Sequence, residues 1–467
     1  MRTEATTYPL SASQELLWDH MMALSPGDPG AVPEVAVCLR EVLGPLDPEL
    51  FRRAVARVAA GHEPLRMGFR TTGRDPRLVI EPGVENPLDL VDLSAVPDER
   101  QRRELAALHA DACGRPFDLR RPPLWRARLV RLAPERHVLI AAFFHLVADG
   151  WSTRLFAEEV ARCYGSLAGR CPAPPAAGVG FREIAALQGR ELAATPERVE
   201  FWRRSLRGTP RPVPFPVRAV PPETDVRAAA ATRFRLPAEV GRRLRGAAWR
   251  AKSTEYVALM AAYHLLLRRR LGAERIVIGT TTLGRPTALA RRLIGQFTND
   301  VYVTADIRPE HSLVDTVRQV HHGLDTAMRN AVAFRSLARA ADPDFDRRPW
   351  PDVQLFDSYL QAEPPAAPEL EVAGLRLRQI EIDEPDAGAA GGALPAGAVP
   401  ASRLPIWAKK TTPFMIVDDD RRGGALVCNP GFFDPGLAGD LVAEYVEIVE
   451  TLAADPTRPV GSVTAAA

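Results

Sequence analysis

The stretch that decides the fold is HVLIAAFFHLVADGWS, residues 137–152. Residues 137–145 form a near-continuous apolar run, which is typical of a central strand covered on both faces. The corner Asp149-Gly150 follows, and Ser152 can cap a helix whose apolar residues recur at helical spacing. The stretch therefore predicts a buried strand, a tight corner and a helix.

His145 ends this strand, and its role has two interpretations. Side chains alternate between the faces of a strand, so Phe144 is expected to fill core while His145 points to the other side. His145 is either a polar residue satisfied within the core or a base, since histidine suits proton transfer near neutral pH. Asp149 either orients the imidazole or joins a structural salt bridge, and Gly150 permits a turn that residues with Cβ resist.

The rest of the chain also alternates helices with strands. Ser11 with Gln14 three residues later is a capping-box pattern, and Asp47-Pro48 is a helix start with proline at the first position. Further elements are predicted as helices over 98–113, 195–206, 254–271 and 313–329, a strand over 275–285, and a hairpin turning at Arg422-Gly423-Gly424. This mixture predicts an α/β protein built of layered sheets and helices.

The length of the chain and a linker-like stretch predict two domains. The chain has 467 residues, whereas domains usually stop growing near ~250 residues. The Pro/Gly/Ala-rich stretch 169–180 has no periodicity and is the best candidate linker. We therefore predict an N-terminal lobe over 1–172 and a C-terminal lobe over 173–467. A second low-complexity stretch, 383–402, is predicted to be a surface loop.

Charge and patterning exclude several classes. The 60 Lys and Arg residues are offset by 58 Asp and Glu, so the net charge of +2 offers no basic field for nucleic acid or anionic lipid. The N-terminus lacks a signal-peptide core, and no apolar stretch reaches about 18 residues. No metal, P-loop or serine-hydrolase motif occurs. We therefore predict a cytoplasmic protein without a nucleic-acid partner, membrane partner or bound metal.

Four separated segments resemble the core motifs of nonribosomal peptide synthetase condensation domains, in order and approximate spacing. They are SASQELLW (11–18), HEPLRMGF (62–69), HLVADGW (145–151) and IGQFTNDV (294–301). The resemblance covers nearly the whole chain. It implies a chloramphenicol-acetyltransferase-like fold, in which two related lobes form a V-shaped pseudodimer with the active site in a tunnel between them.

The resemblance also implies roles for individual residues. His145 matches the second histidine of the family's HHxxxDG motif, which acts as a base or positions the nucleophile. Asp149 matches the structural aspartate, with Arg66 or Arg285 as possible partners. The N–H of Gly150 is a candidate donor to the tetrahedral oxyanion.

Phe144 is the departure, because the family has its first histidine at this position. By strand alternation this position faces away from the reaction, so the loss need not abolish activity. Phenylalanine also argues against the heterocyclisation branch, which has aspartate here. Trp151 and Asn299 are candidates for contact with substrate in the tunnel. Their alternatives are a core position for Trp151 and a backbone-capping turn residue for Asn299.

The resemblance predicts a condensation enzyme that transfers a carrier-protein-bound acyl group from its thioester to an amine, in nonribosomal peptide or hybrid natural-product biosynthesis. Two alternatives stay open: a catalytically silent condensation-like domain that recruits a tailoring enzyme to a carrier-bound peptide, and an ester-forming acyltransferase. The predicted partners are an acyl or peptidyl carrier protein as donor, and a second carrier protein or a soluble amine as acceptor. No tightly bound cofactor is expected, because the carrier's phosphopantetheine arm brings the substrate. We predict a monomer that acts in trans or is one domain of a larger synthetase.

Overall fold

The computed structural model describes residues 6–24, 30, 34–72, 75–85, 88–174, 179–207, 230–347, 356–362, 369–382, 413–430, 433 and 435–464. The chain divides into two compact units. The first unit comprises Met1–Glu191, Leu283–Thr298 and Ala366–Ala393, and the second comprises Leu192–Thr282, Asn299–Pro365 and Leu394–Ala467. The loop predicted over 383–402 lies outside the described residues.

The strands of the described residues are numbered in chain order. They are β1 (Thr7–Pro9), β2 (Val35–Leu43), β3 (Met67–Thr72), β4 (Asp75–Ile80), β5 (Leu88–Asp92), β6 (Trp125–Ala133), β7 (Arg136–Phe144), β8 (Ala230–Arg235), β9 (Arg275–Thr282), β10 (Asn299–Asp306), β11 (Ser358–Ala362), β12 (Leu370–Val372), β13 (Leu375–Gln379), β14 (Phe414–Val417) and β15 (Gly423–Cys428).

The helices follow the same order. They are α1 (Ala12–Leu24), α2 (Pro48–Gly61), α3 (Asp98–Gly114), α4 (Gly150–Leu167), α5 (Phe181–Glu191), α6 (Pro196–Ser205), α7 (Ala238–Arg250), α8 (Glu255–Leu271), α9 (Leu313–Arg329), α10 (Phe334–Ala341), α11 (Pro435–Ala454) and α12 (Gly461–Thr464). Short 3-10 turns cover Glu63–Arg66, Ala290–Arg292 and Phe345–Arg347. The layered mixture of helices and strands confirms the predicted α/β class.

The first unit is built on a six-stranded sheet in the order β12-β13-β2-β7-β6-β5, beside a three-stranded sheet in the order β1-β4-β3. β7 lies between β2 and β6 and is antiparallel to both. Every residue of β7 after Arg136 is buried, which confirms the central strand predicted from its apolar run. α4 follows the corner and packs on β2 and α2.

The second unit has its own six-stranded sheet, in the order β10-β9-β11-β14-β15-β8. Buried apolar residues of α7, α8, α9 and α11 form a core with inward-facing residues of the sheet, such as Ile278, Val303 and Leu360. β11 is parallel to both β9 and β14, while the other pairs are antiparallel. This unit therefore has a hydrophobic core of its own.

The predicted helix starts are confirmed where the capping side chain is local in sequence. Ser11 N–H donates to Gln14 Oε1 (3.0 Å), and Gln14 N–H donates to Ser11 Oγ (3.2 Å), which is the reciprocal pair of a capping box. Asp47 caps α2 by accepting from the N–H groups of Glu49 and Leu50. These bonds span two or three residues, so the sequence contains both partners.

The predicted hairpin is confirmed and Arg422 lies in its turn, but the prediction that Gly423 and Gly424 belong to the turn is wrong. β14 ends at Val417 and β15 begins at Gly423, so the turn covers 418–422 and both glycines lie in the strand. A Cβ at Gly424 would lie 2.2 Å from Ile416 O and 2.9 Å from the Phe234 ring. The glycines therefore serve close packing between strands rather than the turn.

The first unit differs from the predicted lobe over 1–172. It continues through α5 to Glu191 and takes in two later segments of the chain. β13 pairs antiparallel with β2, and Arg378 on β13 forms an ion pair with the buried Glu41 on β2. The other segment, Leu283–Thr298, leaves the second unit between β9 and β10; we call it the excursion. Both of these later segments join the first unit through partners that are far away in the sequence.

Two features of the described residues bear on the excluded classes. None of the helices there combines the length and the apolar character that a membrane crossing needs. In the same part of the chain, no three His, Cys, Asp or Glu side chains are grouped as metal ligands would be.

Candidate functional site

His145 is the first residue after β7 and begins a tight turn. Val147 N–H donates to Phe144 O (2.9 Å), which closes the turn, and His145 N–H donates to Glu34 O (2.9 Å). His145 is partly exposed as a residue. Its Nδ1 is buried and has no hydrogen-bond partner among the described residues. This geometry does not match a histidine satisfied within the core.

The first helix holds the turn next to His145. The Nε2 group of Gln14 donates to Leu146 O (2.9 Å). Gln14 is wholly buried, and its Oε1 is engaged in the capping box of α1. The N-terminal end of α1 and the residue after His145 are therefore fixed to each other.

Phe144 lies in the core, as strand alternation predicted. Its side chain is 0% exposed, and its ring centroid lies 5.6 Å from that of Phe117. The Arg126 guanidinium lies over the Phe117 ring, 3.8 Å from its centroid. A large aromatic side chain thus fills the space where the family's motif has a histidine.

Asp149 is the N-cap of α4, and its carboxylate is wholly buried. Its Oδ1 accepts from Ser152 N–H (2.9 Å) and from Ser152 Oγ (2.7 Å). Arg285 Nη2 donates to both carboxylate oxygens, at 2.8 and 2.9 Å, and Phe297 N–H donates to Oδ2 (3.3 Å). The prediction that Ser152 caps the helix is wrong, because Asp149 already occupies the N-cap with extended backbone.

Arg285 belongs to the excursion, and its side chain is 0% exposed. Its Nη1 donates to Ala290 O (2.6 Å) and Leu293 O (2.7 Å). Burial lowers the pKa of Arg285 from its usual value, and the charge of Asp149 opposes that shift. The ion pair with Asp149 therefore stabilises two charges that have both lost their contact with water.

Arg66 was the other possible partner of Asp149, and the structure places it elsewhere. It ends a 3-10 turn, and its Nη1 donates to Glu81 O. Arg285 contacts Asp149 instead. The sequence could not separate the two arginines, because Arg285 approaches Asp149 from 136 residues further along the chain.

Gly150 and Trp151 form the first turn of α4. Gly150 is exposed, and its N–H has no hydrogen bond among those of the described residues, as expected at a helix N-terminus. Trp151 is half-buried, and its Nε1 donates to Arg291 O in the excursion (2.9 Å). Trp151 therefore fits neither the fully buried core position nor a free aromatic platform.

Asn299 lies in the second unit as the first residue of β10. It is buried, its Nδ2 donates to Asp300 O (3.1 Å), and it pairs with Thr282 across the ladder. Asn299 therefore bonds a backbone carbonyl, as the alternative expected, but it does so from a strand and not from a turn. Its contact with substrate stays a prediction.

Two side chains that contact the excursion were missed. His62 is buried; its Nε2 lies 2.7 Å from Glu159 Oε2, and its Nδ1 accepts from Ile294 N–H (3.4 Å). Gln188 on α5 donates to two carbonyl groups of the excursion. The sequence held a signal for Gln188, since it shares the apolar face of α5 with Phe181 and Ile184.

Comparison with known proteins identifies the family to which the chain belongs. The profile of the Condensation domain family matches residues 4–372. Phosphinothricin tripeptide synthetase PhsC of Streptomyces viridochromogenes is 32% identical over 337 residues, which are 71% of this chain and 31% of that protein. The chain thus spans less than a third of the length of that relative.

Two solved structures share the fold. The SgcC5 protein from Streptomyces globisporus has a TM-score of 0.75 and 22% identity, over 97% of this chain and 100% of that one. The complex of the X-domain and OxyB from teicoplanin biosynthesis gives a TM-score of 0.75 and 23% identity, over 99% and 96%. Family profile, relative and fold agree, and the chain belongs to the condensation-domain family of nonribosomal peptide biosynthesis.

Proposed function

We propose that this protein transfers an acyl group from a carrier-bound thioester to an amine and so forms an amide, with His145 as the base. Condensation domains of this family work with the phosphopantetheine arm of a carrier protein, which would deliver the thioester. The observation that carries the proposal is the placement of His145, a partly exposed residue directly after the buried strand β7. A base must reach the proton that it removes, and a fully buried side chain would not.

In the proposed reaction the amine nitrogen attacks the thioester carbonyl carbon. A C–N bond forms, the carbonyl oxygen becomes an oxyanion, and His145 takes the proton that the nitrogen loses. The C–S bond then breaks, and His145 passes the proton to the departing thiolate of the phosphopantetheine arm. Atoms and charges balance with no further reactant.

The first turn of α4 supplies the electrostatic part of the proposal. Gly150 N–H has no partner among the described hydrogen bonds, and it lies at the positive end of a helix of 18 residues. A backbone donor of this kind stabilises an oxyanion at no cost of reorganisation. Asp149 has a structural role, since both of its oxygens are engaged in hydrogen bonds.

A second candidate function is a silent domain that recruits a tailoring enzyme to a carrier-bound peptide. Phe144 favours it, because the motif lacks its first histidine. The fold likeness to an X-domain solved with OxyB also supports it. The partly exposed His145 and the intact pair of Asp149 and Arg285 favour the enzyme.

One experiment separates these candidates. The protein is incubated with acyl-loaded carrier protein and panels of amines and alcohols, and both the carrier and the small products are followed by mass spectrometry. We expect deacylated carrier and an amide product. Ester products with the alcohols alone would favour the ester-forming alternative. Absence of transfer above background, with cognate carrier and acceptor included, would overturn the enzymatic proposal.

The role of His145 is tested by His145→Ala. Turnover should fall by about 10²–10⁴-fold, the usual contribution of general acid–base catalysis. The matched control is His322→Ala, which removes an exposed histidine of α9 in the second unit and should leave turnover within about twofold. Unchanged turnover in a folded His145→Ala protein would exclude the base.

A further inference from the structure

The excursion brings the partner of Asp149 into the first unit. It begins after Thr282 and ends before Asn299, which pair with each other across the ladder of β9 and β10. Arg285 lies near one end of the excursion and Phe297 near the other. Both donate to Asp149. The position of the two ends therefore determines whether the Asp149 carboxylate keeps Arg285 and Phe297 N–H as donors, beside those of Ser152.

A single side chain contacts both ends. Gln188 on α5 is 2% exposed, and its Nε2 donates to Gly284 O (3.0 Å) and to Phe297 O (2.5 Å). Its Oε1 accepts from Ser13 Oγ on α1 (3.1 Å). The amide thus uses both of its N–H groups and one acceptor position.

The two ends of the excursion approach each other closely at Gly284. Gly284 has φ +58, and a Cβ there would lie 1.7 Å from Phe297 O. Only glycine allows this approach. Gly284 O and Phe297 O share one donor, the NH₂ group of Gln188.

Gln188 is also connected, through one residue in each case, to Asp149 and to the turn at His145. Phe297 accepts the Gln188 bond through its carbonyl oxygen and donates its N–H, on the other side of its Cα, to Asp149. Ser13, which donates to Gln188, precedes Gln14, which holds Leu146 beside His145. One buried amide therefore connects the segment that holds Asp149 with the helix that holds the His145 turn.

We propose that Gln188 is a positioning residue of the acyl-transfer site. By holding both ends of the excursion, it keeps Arg285 and the Phe297 N–H on Asp149, and it fixes the N-terminus of α4 relative to His145. Gln188 touches no reacting atom. The kinetic part of this inference rests on the proposed function, whereas the structural part does not.

The test uses two replacements of similar length. Gln188→Met removes the donors, and Gln188→Glu places a carboxylate oxygen against two carbonyl oxygens. We expect kcat to fall by about 10–100-fold, because a displacement of about 1 Å at a site can cost 10²-fold. The KM values for the loaded carrier and for the amine should change by less than about threefold, since no substrate contact is removed.

Gln101 provides the matched control. It is a buried glutamine of the same unit, and its Nε2 donates to Leu93 O (3.0 Å) and Leu132 O (3.1 Å). Gln101→Met removes the same kind of bonds and should lower stability with kcat within about twofold. A similar kcat loss in both variants would overturn the positioning role, as would a raised KM with unchanged kcat in the Gln188 variants.

Hydrogen exchange tests the structural part without any turnover. Amides 294–297 should exchange about tenfold faster in Gln188→Glu than in the wild-type protein or in Gln101→Glu, because local opening becomes easier. Unchanged exchange in this segment would overturn the inference. Absence of acyl transfer in the wild-type protein would instead overturn the proposed function, and the exchange result would still decide whether Gln188 holds the excursion.

Discussion

Each unit buries an aspartate, Asp149 at the start of α4 and Asp300 on β10, and the two carboxyl groups are held in different ways. In the first unit both oxygens of Asp149 accept from Arg285. In the second unit Oδ1 of Asp300 accepts from Tyr359 OH (2.7 Å) and Thr281 Oγ1 (3.2 Å), while Oδ2 has no partner among the described residues. Burial raises the pKa of Asp300 to about 6.

The difference shows what a buried carboxylate requires. Hydroxyl donors offset part of the lost hydration of Asp300, but a neutral donor does not balance its charge. Arg285 balances the charge of Asp149 and also fixes its geometry, since the guanidinium is planar and always protonated. The Asp149 carboxylate therefore has a cation among its partners, whereas the charge of Asp300 depends on pH.

The largest effect is expected from Arg285→Ala, which removes the cation from Asp149. Breaking a buried pair on one side costs about 3–5 kcal/mol, because the remaining charge stays buried without a partner. The free energy of unfolding is measured by urea denaturation. Arg329→Ala is the control, since its pair with Asp325 is exposed (2.6 Å) and such pairs contribute ~0–1 kcal/mol. Equal losses in the two variants would show that Asp149 does not depend on Arg285 for its charge balance.

Asp300→Asn should have the next largest effect, with the opposite sign. The pKa of Asp300 is about 6 in the folded protein, against an ordinary 3.8. The protonated carboxyl therefore contributes its full stabilisation at pH values below the unfolded-state pKa. This stabilisation is lost as the pH rises through about 6. A shift of roughly two pH units corresponds to about 3 kcal/mol. Asp300→Asn should therefore be more stable than the wild-type protein by about that amount at pH 8 and of similar stability near pH 4.

Urea unfolding of both proteins at the two pH values checks this expectation. Burial also raises the pKa of Asp357 to about 6, but Asp357 is present in both proteins and cancels in the difference. A stability difference that is the same at both pH values would show that Asp300 does not titrate as the structure indicates.

Local contacts are the part of this molecule that the sequence predicts well. The buried strand β7, the corner at Asp149 and the cap at Asp47 depend on residues within a few positions of one another. The capping box of Ser11 and Gln14 is of the same kind. The hydrogen-bond partners are near in sequence, so residue type and spacing identify them.

Contacts between segments that are distant along the chain could not be predicted from the sequence. Arg285 and Arg66 were equivalent candidates until the chain path brought Arg285 to Asp149, across 136 residues. The pairing of β13 with β2 is similar, because Arg378 reaches Glu41 across 337 residues. A single sequence contains no measure of such distances, and both returning segments are short.

The smallest effect is expected from Phe144→His, which restores the missing histidine of the motif. Phe144 is 0% exposed and packs on the Phe117 ring, so an imidazole there would place a polar N–H against an aromatic side chain in the core. Stability should fall by roughly 1–2 kcal/mol, the cost of one unsatisfied buried donor. Turnover per folded molecule should stay unchanged, because this side chain lies in the core.

Phe143→His is the control for this prediction, since Phe143 is equally buried and stacks on Trp125 at 5.7 Å. A tenfold gain in turnover that Phe143→His does not share would mean that position 144 takes part in the reaction, and the first unit would then hold an unsatisfied polar group for catalysis.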